Sequence, residues 1–261
     1  MTYMEGKIIT DRVTTSRNGL LAGVEAPAAS IINEQSAPPT FTEIDMSGLM
    51  QAEIDPPRFA IEPWLPLRQV ALFGGHGGTG KSSIALVIAA HVACGRPFAG
   101  LVVRQMPVLF ASLEDEHTLV MYRLKRIVRS YSLPPDEVMA NIRLLDGANS
   151  ASTLYAEEQF GQTHPTLAYH ELARRCAGAG LVIIDNASDA FDANENHRRS
   201  VRAFIRCLAA IGRANDAAIL LLAHIDKNAA KFGANGNTYS GSTAWHNSPR
   251  SRLALTDDDG D

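Results

Sequence analysis

A glycine-rich stretch, GGHGGTGKSS at residues 74–83, lies directly between two apolar segments. The run QVALF precedes it at 69–73, and the alanine-rich run IALVIAAHVA follows it at 84–93. Glycine loses more conformational freedom on folding than any other residue, so five glycines around a single lysine need a structural reason. The arrangement predicts a buried strand, a tight loop and a long helix, in that order.

The same stretch contains Gly75-x-x-x-x-Gly80-Lys81-Ser82, a pattern typical of loops that bind phosphate groups. Glycines let successive backbone N–H groups point at an anion, the lysine can reach the outer phosphates, and the serine hydroxyl can hold Mg²⁺. The N-terminus of the following helix adds a partial positive charge. We therefore predict a site for nucleotide phosphates and Mg²⁺ that is formed by Gly75, Gly77, Gly78, Thr79, Gly80, Lys81, Ser82 and Ser83.

Short apolar runs recur along the chain and alternate with helical patterns. The runs PVLFAS (107–112), NIRLL (141–145), LVIID (181–185) and AAILLLA (217–223) are typical of strands buried on both faces of a parallel sheet. Helical patterns lie at about 80–94, 116–131, 166–178 and 198–214, and the dipeptide His164-Pro165 predicts a turn. This alternation predicts an α/β fold, with a mainly parallel sheet flanked by helices in three layers.

Residues 1 to about 55 differ in composition and periodicity from the rest of the chain. They mix Ala, Pro, Ser, Thr and Glu, as in VEAPAASIINEQSAPPT, without sustained periodicity. Such a segment buries too little apolar surface to offset the entropy of ordering it. We expect a flexible leader at 1–55, followed by one domain at 56–261.

The charge of the chain is unevenly distributed. Residues 1–58 carry four Lys/Arg and eight Asp/Glu, whereas residues 59–261 carry twenty of each. A neutral body argues against a broad nucleic-acid-binding face on the monomer, although a local basic strip, or one formed in an oligomer, is compatible with it. The N-terminus has acidic residues and no apolar core of signal-peptide length, and no stretch of the chain reaches the apolar length of a membrane span. The three cysteines have no CxxC spacing, so we expect a cytoplasmic protein with free thiols.

Polar residues end or follow three of the predicted strands. Asp185 ends LVIID and is predicted to bind Mg²⁺ beside the glycine-rich loop. Glu114, in SLEDE, could be the general base that activates water, with Asp115 and Glu116 as rivals; all three could instead simply favour a helix N-terminus. His224 ends AAILLLAH, where it could sense the γ-phosphate or be an ordinary strand-end histidine.

The part of the chain after His224 contains two features with open interpretations. The segment from Lys227 to Tyr239 is rich in Gly, Asn and Ala, and it could be a mobile loop that contacts nucleic acid or an ordinary surface excursion. Arg250 and Arg252 flank Ser251. Either arginine could neutralise charge on a nucleotide held by a neighbouring subunit, or both could lie on a solvated strand edge.

Two predicted helices carry clusters of basic residues. A solvated helix face is the default interpretation of such a cluster, and a subunit interface or a DNA channel is the alternative. The clusters are Arg198, Arg202 and Arg206, spaced by four residues, and Arg123, Lys125, Arg126 and Arg129, which follow SLEDE.

Taken in order, these motifs resemble those of the RecA-like ATPases, and within them the group of plasmid RepA-type hexameric replicative helicases and related ATPases of phages and mobile elements. The resemblance covers roughly residues 59–255. It rests on GGHGGTGKS, SLEDE with Glu114, LVIIDN with Asp185, LLLAHIDK with His224, and GSTAWHNSPR, in which Arg250 falls at the place of an arginine finger.

The resemblance implies a homo-oligomeric ring, such as a hexamer, with ATP and Mg²⁺ bound between neighbouring subunits and single-stranded DNA in the central channel. Glu114, Lys81 and His224 would then act in cis, and Arg250 in trans. The implied function is a Mg²⁺-dependent ATP hydrolase, helicase-like, acting in replication or recombination of a mobile element. Members of this group usually continue past the arginine motif, so we expect the domain to be shortened at its C-terminal end.

Overall fold

The computed structural model describes residues 41–158, 161–224 and 243–255 of the 261-residue chain. By its internal contacts the chain divides into two units, residues 1–53 and 54–261. Residues 41–53, the described part of the first unit, form a turn at 47–51 and contain no helix or strand. The predicted leader lies mostly outside the described residues, and its boundary near residue 55 stays a prediction.

The described residues of the second unit are built around a six-stranded sheet. Its strands have the order β11-β3-β10-β8-β4-β5, and every neighbouring pair is parallel. They are β3 (Val70–Gly75), β4 (Val108–Ser112), β5 (Ile142–Asp146), β8 (Leu181–Asp185), β10 (Ala218–His224) and β11 (Ser251–Ala254). The prediction of an α/β fold with a mainly parallel sheet is therefore confirmed.

Helices cover both faces of this sheet. They are α1 (Lys81–Cys94), α2 (His117–Ser130), α3 (Pro135–Asn141), α4 (Leu167–Arg175), α5 (Ala187–Ala190), α6 (Arg198–Asn215) and α7 (Thr243–Asn247). The four predicted helices are confirmed as α1, α2, α4 and α6. No helix in the described parts of the chain is long and apolar enough to cross a membrane.

The core forms two separate layers, one on each face of the sheet. Because successive strand residues point to opposite faces, Val182 and Ile184 of β8 pack in one layer, and Leu181 and Ile183 in the other. The first layer also contains Leu172 of α4, Phe204 of α6 and Trp245 of α7, and the second contains Leu86 of α1, Val120 of α2 and Val138 of α3. Because both faces of the sheet are buried, the strands have continuous apolar sequences rather than alternating apolar and polar residues.

One predicted strand has a different environment from the others. The run NIRLL forms β5, but no residue of this strand is fully buried, and Arg143 and Asp146 are exposed. The expectation that it is buried on both faces is wrong, because β5 lies at the edge of the sheet and pairs only with β4 among the described strands.

Two short sheets were not predicted from the sequence. Strands β1 (Phe59–Ile61) and β2 (Leu65–Pro66) pair antiparallel, and β6 (Tyr155–Glu157) pairs with both β7 (Thr163–Pro165) and β9 (Phe191–Asp192). The predicted turn at His164-Pro165 is therefore wrong: both residues belong to β7, an edge strand, where a proline is tolerated because its missing N–H faces away from the ladder.

Candidate nucleotide-binding site

The parallel sheet brings the predicted site residues to one edge. In the register of the sheet, His224 at the end of β10 lies beside Gly75 at the end of β3, and Ser112 at the end of β4 lies beside Asp185 at the end of β8. Because the carboxyl ends of parallel strands meet at the same edge, Glu114, two residues after Ser112, also lies there.

The glycine-rich loop between β3 and α1 depends on its glycines at specific positions. Gly78 and Gly80 have φ of 80° and 87°, a left-handed conformation that strains any residue with a side chain. At Gly75 the limit is space instead: an added Cβ would lie 2.8 Å from Thr79 Oγ1 and 3.1 Å from Lys81 Cγ. The loop is therefore wound tightly around the lysine side chain.

Lys81, the first residue of α1, is buried and held by the loop itself. Its Nζ donates hydrogen bonds to the carbonyl oxygens of Gly75 at 2.9 Å and His76 at 2.8 Å, and lies 3.4 Å from His224 Nδ1. Burial lowers the pKa of Lys81, and the nearby carboxylates of Asp185 and Glu114 oppose that change. The Lys81 ammonium group is thus held at the C-terminal ends of β3 and β10, which carry Gly75 and His224.

Asp185 and Ser82 form the second part of the site. Asp185 is 3% exposed, and burial raises its pKa to about 6, although a hydrogen bond from the Ser82 side chain opposes the rise. A hydroxyl and a carboxylate oxygen side by side are ligands that Mg²⁺ prefers. A cation there would also offset the lost hydration of the buried carboxylate, so these two residues fit the Mg²⁺ that was predicted from the sequence.

Glu114 is positioned by a residue to which the sequence analysis assigned no role. The side-chain amide of Asn186 donates a 2.7 Å hydrogen bond to Glu114 Oε2. The amide oxygen of Asn186 accepts from the backbone N–H groups of Ser188 and Asp189, so the same side chain caps α5. A cis peptide bond joins Asp185 to Asn186. The sequence signal was available, because an amide directly follows the aspartate at the end of a buried strand.

Asp115 and Glu116, the two alternatives to Glu114 as general base, have other partners. Asp115 forms an ion pair with Arg123 of α2, and Glu116 accepts a 3.1 Å hydrogen bond from Asn149. Of the three carboxylates, only Glu114 and Asp115 line the cleft at the strand ends, and among the described residues only Asp115 of these two has a paired cation. Glu114 is therefore the one of the three whose carboxylate lines the cleft and has no ion pair with another described residue.

These residues enclose a cleft of about 380 Å³. It is lined by Gly77, Gly78, Gly80, Lys81, Ser82, Ser83, Glu114, Asp115, Arg123, Asp185, Asn186 and His224. Arg123 was assigned by sequence only to a basic cluster on a helix, yet it is part of this lining. Helical spacing alone could not predict that Arg123 pairs with Asp115, which lies eight positions earlier in the chain.

The predicted arginine finger lies elsewhere. The backbone N–H of Arg250 donates to the carbonyl of Val70, the first residue of β3, whereas the glycine-rich loop follows the last. Arg250 therefore lies at the opposite edge of the sheet from the cleft of its own chain. Arg252 Nη1 donates to the carbonyl of His246 at 3.0 Å. The predicted nucleic-acid loop from Lys227 to Tyr239 lies outside the described residues.

A parallel sheet with a glycine-rich loop, a buried lysine and a strand-end aspartate at one edge defines a P-loop nucleotide-binding domain. A family model described as an AAA domain matches residues 34–230, so the chain belongs to this family of P-loop ATPases. The match includes every residue of the cleft and ends before Arg250. No curated protein sequence matches the chain.

Proposed function

We propose that this chain is a Mg²⁺-dependent ATP hydrolase. The observation that carries the proposal is the placement of Glu114: its carboxylate accepts a hydrogen bond from Asn186 and lines the same cleft as Lys81, Ser82 and Asp185. A carboxylate held in this position is suited to accept a proton from a water molecule that faces the γ-phosphate.

In the proposed reaction, backbone N–H groups of the loop and the Lys81 ammonium bind the β- and γ-phosphates. Ser82 and Asp185 hold Mg²⁺, which when bound neutralises phosphate charge. Glu114 accepts a proton as the water oxygen forms its bond to the γ-phosphorus and the bond from that phosphorus to the bridging oxygen of ADP breaks. His224, 3.4 Å from Lys81 Nζ, would respond to loss of the γ-phosphate through the lysine.

The assembly that we propose is a ring in which Arg250 completes the site of a neighbouring subunit. The position of Arg250 is compatible with this, because it lies at the opposite edge of the sheet from the cleft of its own chain and is not among the described residues that line it. Together with the resemblance to RepA-type helicases, a ring supports a motor that acts on single-stranded DNA of a plasmid, phage or integrated element.

The experiment is the rate of ATP hydrolysis with Mg²⁺, measured with and without single-stranded DNA. Lys81→Ala and Glu114→Gln serve as inactive controls. We expect hydrolysis that both substitutions abolish and that DNA stimulates. Hydrolysis that depends on Lys81 but ignores DNA would replace the motor with a regulatory or protein-remodelling ATPase. Nucleotide binding without any turnover would reduce the chain to a scaffold.

A further inference from the structure

Arg123 is the one member of its basic cluster that reaches the nucleotide cleft. Its guanidinium pairs with the Asp115 carboxylate, and its side chain is 31% exposed. Lys125 and Arg129, on other faces of α2, instead line a separate apolar groove, and the guanidinium of Arg126 lies 5.9 Å from the ring centre of Tyr122. Arg123 therefore has a distinct environment within the cluster.

Arg123 pairs with the carboxylate of Asp115, and the phosphates of a bound nucleotide would compete with that carboxylate for the guanidinium. The described lining carries three carboxyl groups, on Glu114, Asp115 and Asp185, against two basic side chains, Lys81 and Arg123. A triphosphate adds several negative charges close to Asp115, which weakens the hold of that carboxylate on the guanidinium. A guanidinium binds phosphate through the same paired, charge-assisted hydrogen bonds that it forms with a carboxylate, and a triphosphate offers it more negative charge than the single carboxylate of Asp115 does.

The position of Arg123 indicates which phosphate it would meet. Its partner Asp115 directly follows Glu114, the residue that we place opposite the γ-phosphate. Arg123 therefore lies on the γ-phosphate side of the cleft rather than on the side of the nucleoside.

We propose that Arg123 binds the γ-phosphate of a nucleotide in its own subunit, exchanging Asp115 for phosphate, and so makes the cleft select triphosphate over diphosphate. This inference rests on the proposed function, because it needs a nucleotide in this cleft. It assigns to Asp115 the role of a competing anion that holds the arginine in place until the nucleotide arrives.

The exchange predicts effects of opposite sign for the two partners. Arg123→Ala removes a charge-assisted phosphate contact, so a non-hydrolysable ATP analogue should bind roughly tenfold or more weakly, and ADP should be little affected. Asp115→Asn frees the arginine, so the same analogue should bind about two- to fivefold more tightly. In the double variant the gain from Asp115→Asn should vanish, because the arginine that it frees is absent.

The experiment is a titration of the full chain with the analogue and with ADP, each with Mg²⁺. Arg126→Ala is the matched control, since it removes an arginine from the same helix outside the cleft, and Arg123→Lys keeps the charge but not the paired geometry. Thermal unfolding checks that each variant is folded. If the lysine variant recovers only part of the affinity, the paired phosphate contact is supported.

Two results would overturn the role of Arg123. The first is unchanged analogue affinity in Arg123→Ala while the wild-type chain binds. The second is a parallel loss of affinity and thermal stability in Asp115→Asn and Arg123→Ala, which would make the pair purely structural. A wild-type chain that binds neither nucleotide would instead overturn the proposed function itself, so the two failures are distinguishable.

Discussion

Asn186 donates a hydrogen bond of 2.7 Å to the carboxylate of Glu114 and at the same time caps helix α5 through its side-chain oxygen. The contact joins the ends of two neighbouring strands, β4 and β8. One amide thus links the proposed catalytic base to the strand that carries the proposed Mg²⁺ ligand. Its two hydrogen-bonding functions can be separated by substitution.

Replacing Asn186 should lower turnover more than nucleotide affinity. Asn186→Ser keeps an oxygen that can cap α5 but is too short to reach Glu114, whereas Asn186→Ala loses both contacts. We expect kcat for ATP hydrolysis to fall roughly tenfold or more in both variants, with little change in KM. Only the alanine variant should lose about 1 kcal/mol of unfolding free energy, measured by denaturant titration. Wild-type kcat in the serine variant would show that Glu114 needs no such support.

The tight winding of the loop around Lys81 should make Gly75 intolerant of a side chain. Gly75→Ala places a Cβ 2.8 Å from Thr79 Oγ1, so we expect the unfolding free energy to fall by about 1–3 kcal/mol. Gly77→Ala is the matched control, because an added Cβ meets nothing within 4 Å there. Its unfolding free energy should change by less than about 1 kcal/mol. Equal losses in the two variants would argue that glycine is needed for flexibility rather than for space.

The buried carboxyl of Asp185 should make the nucleotide-free protein less stable as the pH rises. Burial raises its pKa from 3.8 to about 6, so the folded state binds this proton more tightly than the unfolded chain does. Stability from this group is present below about pH 4 and is lost as the pH rises through 6, a change of about 3 kcal/mol at most.

Asp185→Asn isolates this effect, because it removes the titration and keeps an oxygen for Ser82. Relative to wild type, the variant should gain stability between pH 4.5 and 7.5, measured by chemical unfolding in the absence of Mg²⁺ and nucleotide. A difference between the two proteins that stays constant over this range would mean that the carboxyl titrates normally.

Mixing experiments should separate the cis and trans roles of Lys81 and Arg250. Arg250→Ala and Lys81→Ala subunits should each be inactive alone. When mixed they should recover part of the ATPase rate, because some interfaces pair an intact Lys81 with an intact Arg250 from the neighbour. Arg252→Ala should retain activity by itself. If Arg252→Ala is inactive and complements Lys81→Ala instead, the finger is Arg252; no recovery from mixed assemblies would place neither arginine in trans.

The sequence was informative wherever burial or backbone conformation left few choices. The strand preceding Gly75 and the run ending at Asp185 are buried on both faces, so their composition alone identified them. Strand β11 has the sequence SRLA, which contains no continuous apolar run, and β9 has only two residues, so neither has the sequence pattern that predicts a buried strand. Asn186 and Arg123 were missed as site residues for another reason: their roles depend on side-chain partners brought close by the fold rather than by the chain.

The strand order also determines when the cleft can form. The strand that leads into the glycine-rich loop, β3, has only β10 and β11 as neighbours in the described sheet. Val70 therefore cannot pair until Ile219 has been synthesised, and Ala71 cannot pair with β11 until Ser251 has been synthesised. Pairings between such distant residues close large loops and form slowly. During synthesis on the ribosome, the loop would thus lack its supporting strands until most of the domain had emerged, and ATP could not help the early part of the chain to fold.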